Sequence, residues 1–435
     1  MTPRERMMTA LAGSVPDRVP VFLRDLTLGL DVTGLSTPEV CAGAFDAELS
    51  ARSVIAAQKE LGHDAVVGSI QYCGMEVEML GGEVMFPQRG IPSVKRAPLD
   101  SPEKVDDAEL PDARRDAPLS NIVRSYRLVS ERIGREVAVL GNVEGPLTKA
   151  GILRGLDIMA MDTVSDPDVF LKTVRFSNDL TIDLCSAMCD AGAHGVFVAA
   201  ATDNPDILGR EAFQDHTVPG LKGIVDAVRS AGLPTAFHPH GTFSHGEFSG
   251  LVDLALNTGI SGFQFAEGND LAEAKRRWGQ RTCIMGGVNA FTTLLLGPPE
   301  AIRDETKGYL DACMDGGGYV MMCSCSLHRG MPLDHVKEMV RACTSLGRYG
   351  TAGGGGPPAN GPKEGWTTCP SCGHRYSLIE GRGKACYGCP SAVRGCGMTR
   401  CPACDAEAPI VRSATERLSS LLRRHRSQYG RAAFR

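Results

Sequence analysis

The chain has 435 residues, a mass of 46.3 kDa and a formal net charge of -5, with 43% hydrophobic and 22% charged residues. That is enough for one large domain plus something small, and the composition is that of an ordinary globular protein, which excludes wholesale disorder and a fibrous fold. A pI near 6.1 gives no electrostatic reason to expect nucleic acid or an anionic membrane as partner.

The opening Met1–Arg6 is charged with no apolar core behind it, so no secretory signal is expected, and no apolar run approaches membrane-spanning length. Short β-rich apolar runs then recur: Arg18 to Phe22, Asp64 to Ile70, Val137 to Leu140, Gly195 to Ala199, Pro234 to Phe237, Ser261 to Phe265, Thr282 to Met285 and Tyr319 to Met322. Longer stretches with helical spacing separate them. Asp166-Pro167 marks a helix start, Phe170, Val174, Thr181, Leu184 and Met188 its apolar stripe, and Gly192 its end. Eight strands alternating with helices predict an α/β fold, a (β/α)8 TIM barrel over residues 1–347. The spacer from Glu83 to Arg135 is too long for one helix and predicts an excursion.

Residues 348–366 are rich in glycine and proline and read as a linker. A cysteine-rich module at 367–410 follows, and then a basic amphipathic helix at 411–435, opened by the capping box Ser413–Glu416 with Leu418, Leu421 and Leu422 on one side. Sixteen cysteines, seven of them between Cys369 and Cys404, read as reduced thiols and metal ligands rather than disulfides, which points to the cytoplasm. Cys369 with Cys372, and Cys401 with Cys404, have the Cys-x2-Cys spacing that offers four thiolates to one tetrahedral zinc. Cys386, Cys389 and Cys396 could hold a second zinc with His374, or an iron–sulfur cluster.

Active sites of such barrels lie at the C-terminal strand ends. The fifth run ends in His238-Pro-His240 and the eighth in Cys323-Ser-Cys325. Two imidazoles and a thiolate suit a catalytic Zn²⁺, which keeps an open position beside three protein ligands. Any one of these residues alone reads better as a satisfied polar or small buried core position; their joint placement favours the metal. Cys323 would share a strand face with Cys325 and could add a sulfur. Other polar strand-end residues supply candidate catalytic groups, Glu144, Asp203 and Asn289, and candidate substrate-binding groups, Arg24, Gln71 and Asn142. Asp25 and Glu267 are similarly placed.

The segments Thr2–Arg6, Pro16–Val21, Met75–Gly81, Gly145–Thr148, Asp270–Lys275, Met285–Asn289 and Gly330–Asp334 resemble the uroporphyrinogen decarboxylase superfamily. Among its branches they look most like the methylcobamide:coenzyme M methyltransferases, over about the first 345 residues. The decarboxylases carry an arginine-rich stretch after the first strand; here that place reads Phe22–Leu28 (FLRDLTL), with one arginine. The methyltransferase resemblance implies a zinc held by a histidine and a distant cysteine, matched by His238 and Cys325, and a thiol acceptor. His240 stands where that branch has cysteine. The chain contains no Asp-x-His-x2-Gly corrinoid motif, so the methylcobamide is expected on a partner corrinoid protein. Two rival functions are a porphyrinogen decarboxylase, which would not need His238, His240 or Cys325, and a redox-sensing regulator working through the cysteine module.

Overall fold

The computed structural model describes residues 1–350 and four short strands at 366–368, 375–377, 398–400 and 407–409. The chain divides into two units, Met1–Thr351 and Ala352–Arg435.

In the first unit the strands are β1 (Ala65–Val67), β2 (Glu83–Met85), β3 (Ser93–Arg96), β4 (Ala138–Glu144), β5 (Gly195–Ala200), β6 (Thr235–Pro239), β7 (Gly262–Gln264), β8 (Cys283–Val288) and β9 (Tyr319–Cys323). Seven of them form one parallel sheet in the order β1-β4-β5-β6-β7-β8-β9. These strands are buried almost throughout, as parallel strands covered by helices must be, and this is why they read as continuous apolar runs. The excursion between β1 and β4 holds the antiparallel hairpin β2–β3 and helices Pro102–Asp106 and Leu119–Ile133.

The run expected as the first strand forms no regular ladder. Pro20 interrupts it, and a proline has no N–H to give a sheet. Instead it makes isolated parallel bridges, Val21 to Met321 on β9 and Phe22 to Ala65 on β1. The Phe22 amide donates to the Met321 carbonyl (3.0 Å) and the Asp64 amide to the Val21 carbonyl (2.9 Å). The segment thus touches both edge strands of the curled sheet, an arrangement consistent with a TIM barrel.

Helix Pro3–Leu11, opened by a Thr2–Glu5 capping box, packs against β1, β4 and β9 at the N-terminal end of the sheet. There Asp64, fully buried, accepts from Arg6 Nη1 (2.5 Å), Arg18 Nη1 (2.8 Å) and Nη2 (2.9 Å), and the Val21 amide (2.8 Å). Helix Pro167–Asp190 begins where the sequence places it, with Asp166 capping the Val169 amide, and buries Phe170, Val174, Thr181, Leu184 and Met188.

In the second unit Trp366–Thr368 pairs antiparallel with Arg375–Ser377, and Met398–Arg400 with Glu407–Pro409. In sequence, Cys369 and Cys372 fall between the members of the first pair, and Cys401 and Cys404 between those of the second. The expected zinc ligands Cys369, Cys372, Cys401 and Cys404 themselves lie outside the described residues. So do Cys386, Cys389 and Cys396, expected at a second metal, together with the linker between Thr351 and Gly365 and the terminal helix.

Candidate metal centre and its cavity

β6 positions two imidazoles. His238 and His240 are two residues apart, so an extended chain turns both to one face, and the His240 amide still donates to the Ala200 carbonyl of β5 (3.2 Å), which holds that geometry beyond the strand's end. Their ring centroids lie 4.9 Å apart at 68°. β9 ends at Cys323, and the chain bends through Ser324. The Ser324 amide donates to the Val288 carbonyl (2.9 Å), while its hydroxyl accepts from the Ala290 amide (3.0 Å) and donates to Glu267 Oε1 (3.1 Å). This fixed bend delivers Cys325 Sγ to 3.8 Å from His240 Nε2. One donor atom from each of His238, His240 and Cys325 lies within 4.8 Å of the others.

The electrostatics suit a cation. Burial holds His238 below its ordinary pKa, so its ring is neutral. Its Nδ1 lies 3.4 Å from the Gln264 carbonyl, which favours the proton there and leaves the Nε2 lone pair free. That Nε2 is buried and has no hydrogen-bond partner. Burial alone would push the Cys325 thiol up, but the two imidazoles beside it bring it down to about 3. Neutral imidazole and thiolate are the forms a metal binds. A buried, unpartnered nitrogen aimed at two further soft donors fits Zn²⁺.

Cys323 does not join them. The bend at Ser324 breaks the two-residue alternation on which its inclusion rested, and its Sγ donates instead to the Cys325 carbonyl (2.7 Å). Burial pushes this thiol up to about 12, so it stays protonated.

A cavity of about 240 Å³ opens onto the three donors, its wall including Arg24, Asn142, Glu144, Thr148 and His328. Arg24 Nε donates to Asn142 Oδ1 (2.9 Å), and the guanidinium carbon lies 5.0 Å from the centre of the Phe197 ring. Gln71 stands behind this wall, its Nε2 donating to the Asn142 carbonyl (3.2 Å). Glu144 reaches the cavity but its Oε2 is paired with Lys149 Nζ (2.7 Å), which also pairs with Glu76 Oε1 (2.6 Å).

Two of the residues expected to be catalytic do other work. Asp203 is fully buried and accepts from the Leu147 and Thr148 amides (3.0 and 2.9 Å) and from the Thr148 and Thr217 hydroxyls (2.7 Å each). It caps helix Pro146–Arg154, and Gly145 admits it: a Cβ there would meet Asp203 Oδ2 at 2.7 Å. Asn289 caps the turn after β8, accepting from the Phe291 and Thr292 amides. Both are polar residues at strand ends that face a helix or turn start rather than the cavity.

His328, Lys149 and Glu76 escaped the sequence reading. His328 lies three residues past Cys325, its Nε2 2.9 Å from Ser326 Oγ, and burial lowers its pKa to about 4. Lys149 had a signal: it is the lone charge inside the apolar stretch Pro146–Leu153, and a fully buried lysine needs acidic partners.

Residues 2–346 match the uroporphyrinogen decarboxylase (URO-D) family. The chain is 28% identical over 348 residues to a methylcobamide:CoM methyltransferase, MtaA, of Methanosarcina barkeri, covering 78% of this chain and 97% of the relative. It is 25% identical over 355 residues to the methylcobamide:CoM methyltransferase MtbA of Methanosarcina mazei, covering 80% and 99%. The match to the chloroplastic uroporphyrinogen decarboxylase of Zea mays, 25% identical, spans only 52% of this chain and 56% of that one. A solved structure described as a methyltransferase from Methanosarcina mazei has a TM-score of 0.69 at 25% identity, over 79% of this chain and 99% of that chain. A parallel α/β sheet matched along residues 2–346, and resemblance to the MtaA and MtbA proteins over nearly their whole length, make this chain a member of the uroporphyrinogen decarboxylase family.

Proposed function

We propose that the chain is a methyltransferase that moves a methyl group between a methylcobamide, carried by a separate corrinoid protein, and a thiol-type acceptor. In this reading the sheet is a (β/α)8 barrel whose mouth holds Zn²⁺ on His238, His240 and Cys325. The observation that carries it is the convergence of those three donors within 4.8 Å, with His238 Nε2 buried and unpartnered. The resemblance to methylcobamide:CoM methyltransferases supports the transferred group and the kind of acceptor.

When bound, Zn²⁺ supplies a Lewis acid that lowers the pKa of an acceptor thiol. The chain's own residues prepare the place. The Gln264 carbonyl orients His238, the Ser324 bend orients Cys325, and Phe197 with Asn142 fixes Arg24 at the cavity wall. Ala199, Ala200 and Ala201 line the cavity with small side chains and leave room for the reactants. With His240 in place of a thiolate, the ligand set carries one negative charge fewer, so a bound thiol is more acidic and less nucleophilic.

A porphyrinogen fits less well. A polyanionic tetrapyrrole needs several guanidinium groups, whereas this cavity offers Arg24, and the positive charge of Lys149 is already taken by two carboxylates. The C-terminal pairs Cys369 with Cys372 and Cys401 with Cys404 are proposed as a separate structural zinc site.

Metal analysis of the full-length protein tests the reading. His238→Ala and Cys325→Ser should each lose one equivalent of zinc, keep the C-terminal metal and stop thiol-dependent demethylation of methylcobalamin, followed by its visible spectrum. Unchanged metal content in both variants rejects it.

A further inference from the structure

The cavity carries two charged groups that methyl transfer from cobalt to sulfur does not itself require. Arg24 is 5% exposed and holds φ at +45°, a region that favours glycine. Such strain persists where the surroundings impose it, commonly at binding sites. Its Nε is anchored to Asn142 and its plane to Phe197, yet neither terminal nitrogen has a hydrogen bond among the described residues.

The second group is Glu144. With Glu76 and Lys149 it forms a cluster of two carboxylates and one ammonium, a net charge of one negative unit when all are ionised. The side chains of Lys149 and Glu76 are 1% and 2% exposed; Glu144, at 11%, is the member that lines the cavity. An uncompensated buried charge is costly, and it favours a cation from the cavity. Its Oε1 has no hydrogen bond among the described residues. Burial also raises the pKa of Glu76, so an internal proton is the competing way to balance the cluster.

Resting on the methyl-transfer reading, we infer that the acceptor is an amino-acid thiol, its carboxylate held by Arg24, its ammonium by Glu144, and its sulfur at the His238–His240–Cys325 centre. A purely anionic tail would satisfy Arg24 but face the negative charge of Glu144; a purely cationic tail meets the reverse problem. The cavity, about 240 Å³, lies below the roughly 300–1,000 Å³ usual for drug-sized ligands, so the acceptor is small. In the transfer the Co–C bond breaks with both electrons remaining on cobalt. A sulfur lone pair forms the S–CH3 bond, the thiol proton passes to water, and the ammonium and carboxylate are unchanged.

The test is methylcobalamin demethylation by the full-length zinc-loaded protein with homocysteine and cysteine, against 3-mercaptopropionate, 2-mercaptoethanesulfonate and cysteamine. A hydrogen bond to a charged group is worth about 1.5–3 kcal/mol, so kcat/KM for homocysteine or cysteine should exceed that for each singly charged thiol by at least ~10-fold. Glu144→Gln should raise KM for the amino-acid thiols by about the same factor and leave 3-mercaptopropionate unchanged or better. Should Glu144→Gln fail to fold, the wild-type panel alone decides. Equal or faster demethylation by 3-mercaptopropionate or 2-mercaptoethanesulfonate overturns this inference alone, as does an unaltered thiol preference in folded Glu144→Gln. No demethylation with any thiol overturns the underlying reading as well.

Discussion

At the N-terminal end of the sheet, the buried carboxylate of Asp64 accepts four hydrogen bonds, from two guanidinium groups and a backbone amide, and nothing is left over. At the C-terminal end His238 is as deeply buried, 1% exposed, and its Nε2 has no partner. Both ends gather residues from distant parts of the sequence. A saturated buried polar group belongs to the architecture, whereas an unsaturated one beside further donors belongs to a ligand. The cavity-side cluster of Glu144, Lys149 and Glu76 stands between these cases, bonded throughout but carrying one negative charge when all three groups are ionised.

Substitutions that act on one end and spare the other break or sharpen this contrast. The largest effect is expected at the unsaturated end: Cys325→Ser should cut methylcobalamin demethylation by at least ~10³-fold, about 4 kcal/mol of transition-state stabilisation, with little change in the denaturant midpoint. If stability falls instead in step with activity, the site is structural and the contrast fails. At the saturated end Asp64→Ala leaves Arg18 without a carboxylate partner, leaves Arg6 with Asp17 alone, and strands the Val21 amide. It should cost about 3–5 kcal/mol in urea unfolding while the folded fraction keeps its full zinc content.

A smaller effect separates capping from catalysis. Asp203→Asn weakens the bonds at the start of helix Pro146–Arg154 and should lower stability by about 1–3 kcal/mol. An Asp203→Asn protein of undiminished stability but ~100-fold lower demethylation would instead make Asp203 a catalytic group. Smallest is the pH dependence of Asp17. The Arg6 guanidinium, bonding both its oxygens, holds this carboxyl well below its usual value of 3.8. Its folded-state pKa is depressed, so its contribution is fully present above the ordinary carboxylate range and is lost as pH falls below it. The difference in melting temperature between wild type and Asp17→Asn should therefore shrink from pH 6 to pH 3; a difference that grows with acidity removes the assignment.

What could be read from the sequence follows the same division. The strands were legible because parallel strands buried on both faces leave short, continuous apolar runs, and His238 with His240 because two-residue spacing on a strand fixes a common face. That rule stops where the strand stops. It wrongly grouped Cys323 with Cys325, since the bend at Ser324 is set by Val288, Ala290 and Glu267, contacts that no local pattern contains. Asp203 and Asn289 illustrate the companion difficulty: at a strand end, a carboxylate or amide that caps the next helix or turn looks like one that meets a substrate. The partnership of Glu76, Lys149 and Glu144 spans 73 positions and exists only once the helix after β4 is packed.

The bridge between Val21 and Met321 carries a consequence for biosynthesis. These two residues lie three hundred positions apart, and translation at about 5–20 residues per second takes roughly 15–60 s to cover that distance. Throughout that interval the leading segment has the β1 side within reach, Asp64 and Ala65 among it, while its other side waits for a partner still on the ribosome. Until the final strand emerges, the nascent chain presents open backbone edges to which other polypeptides can adhere, and holding it apart from them is work for a chaperone.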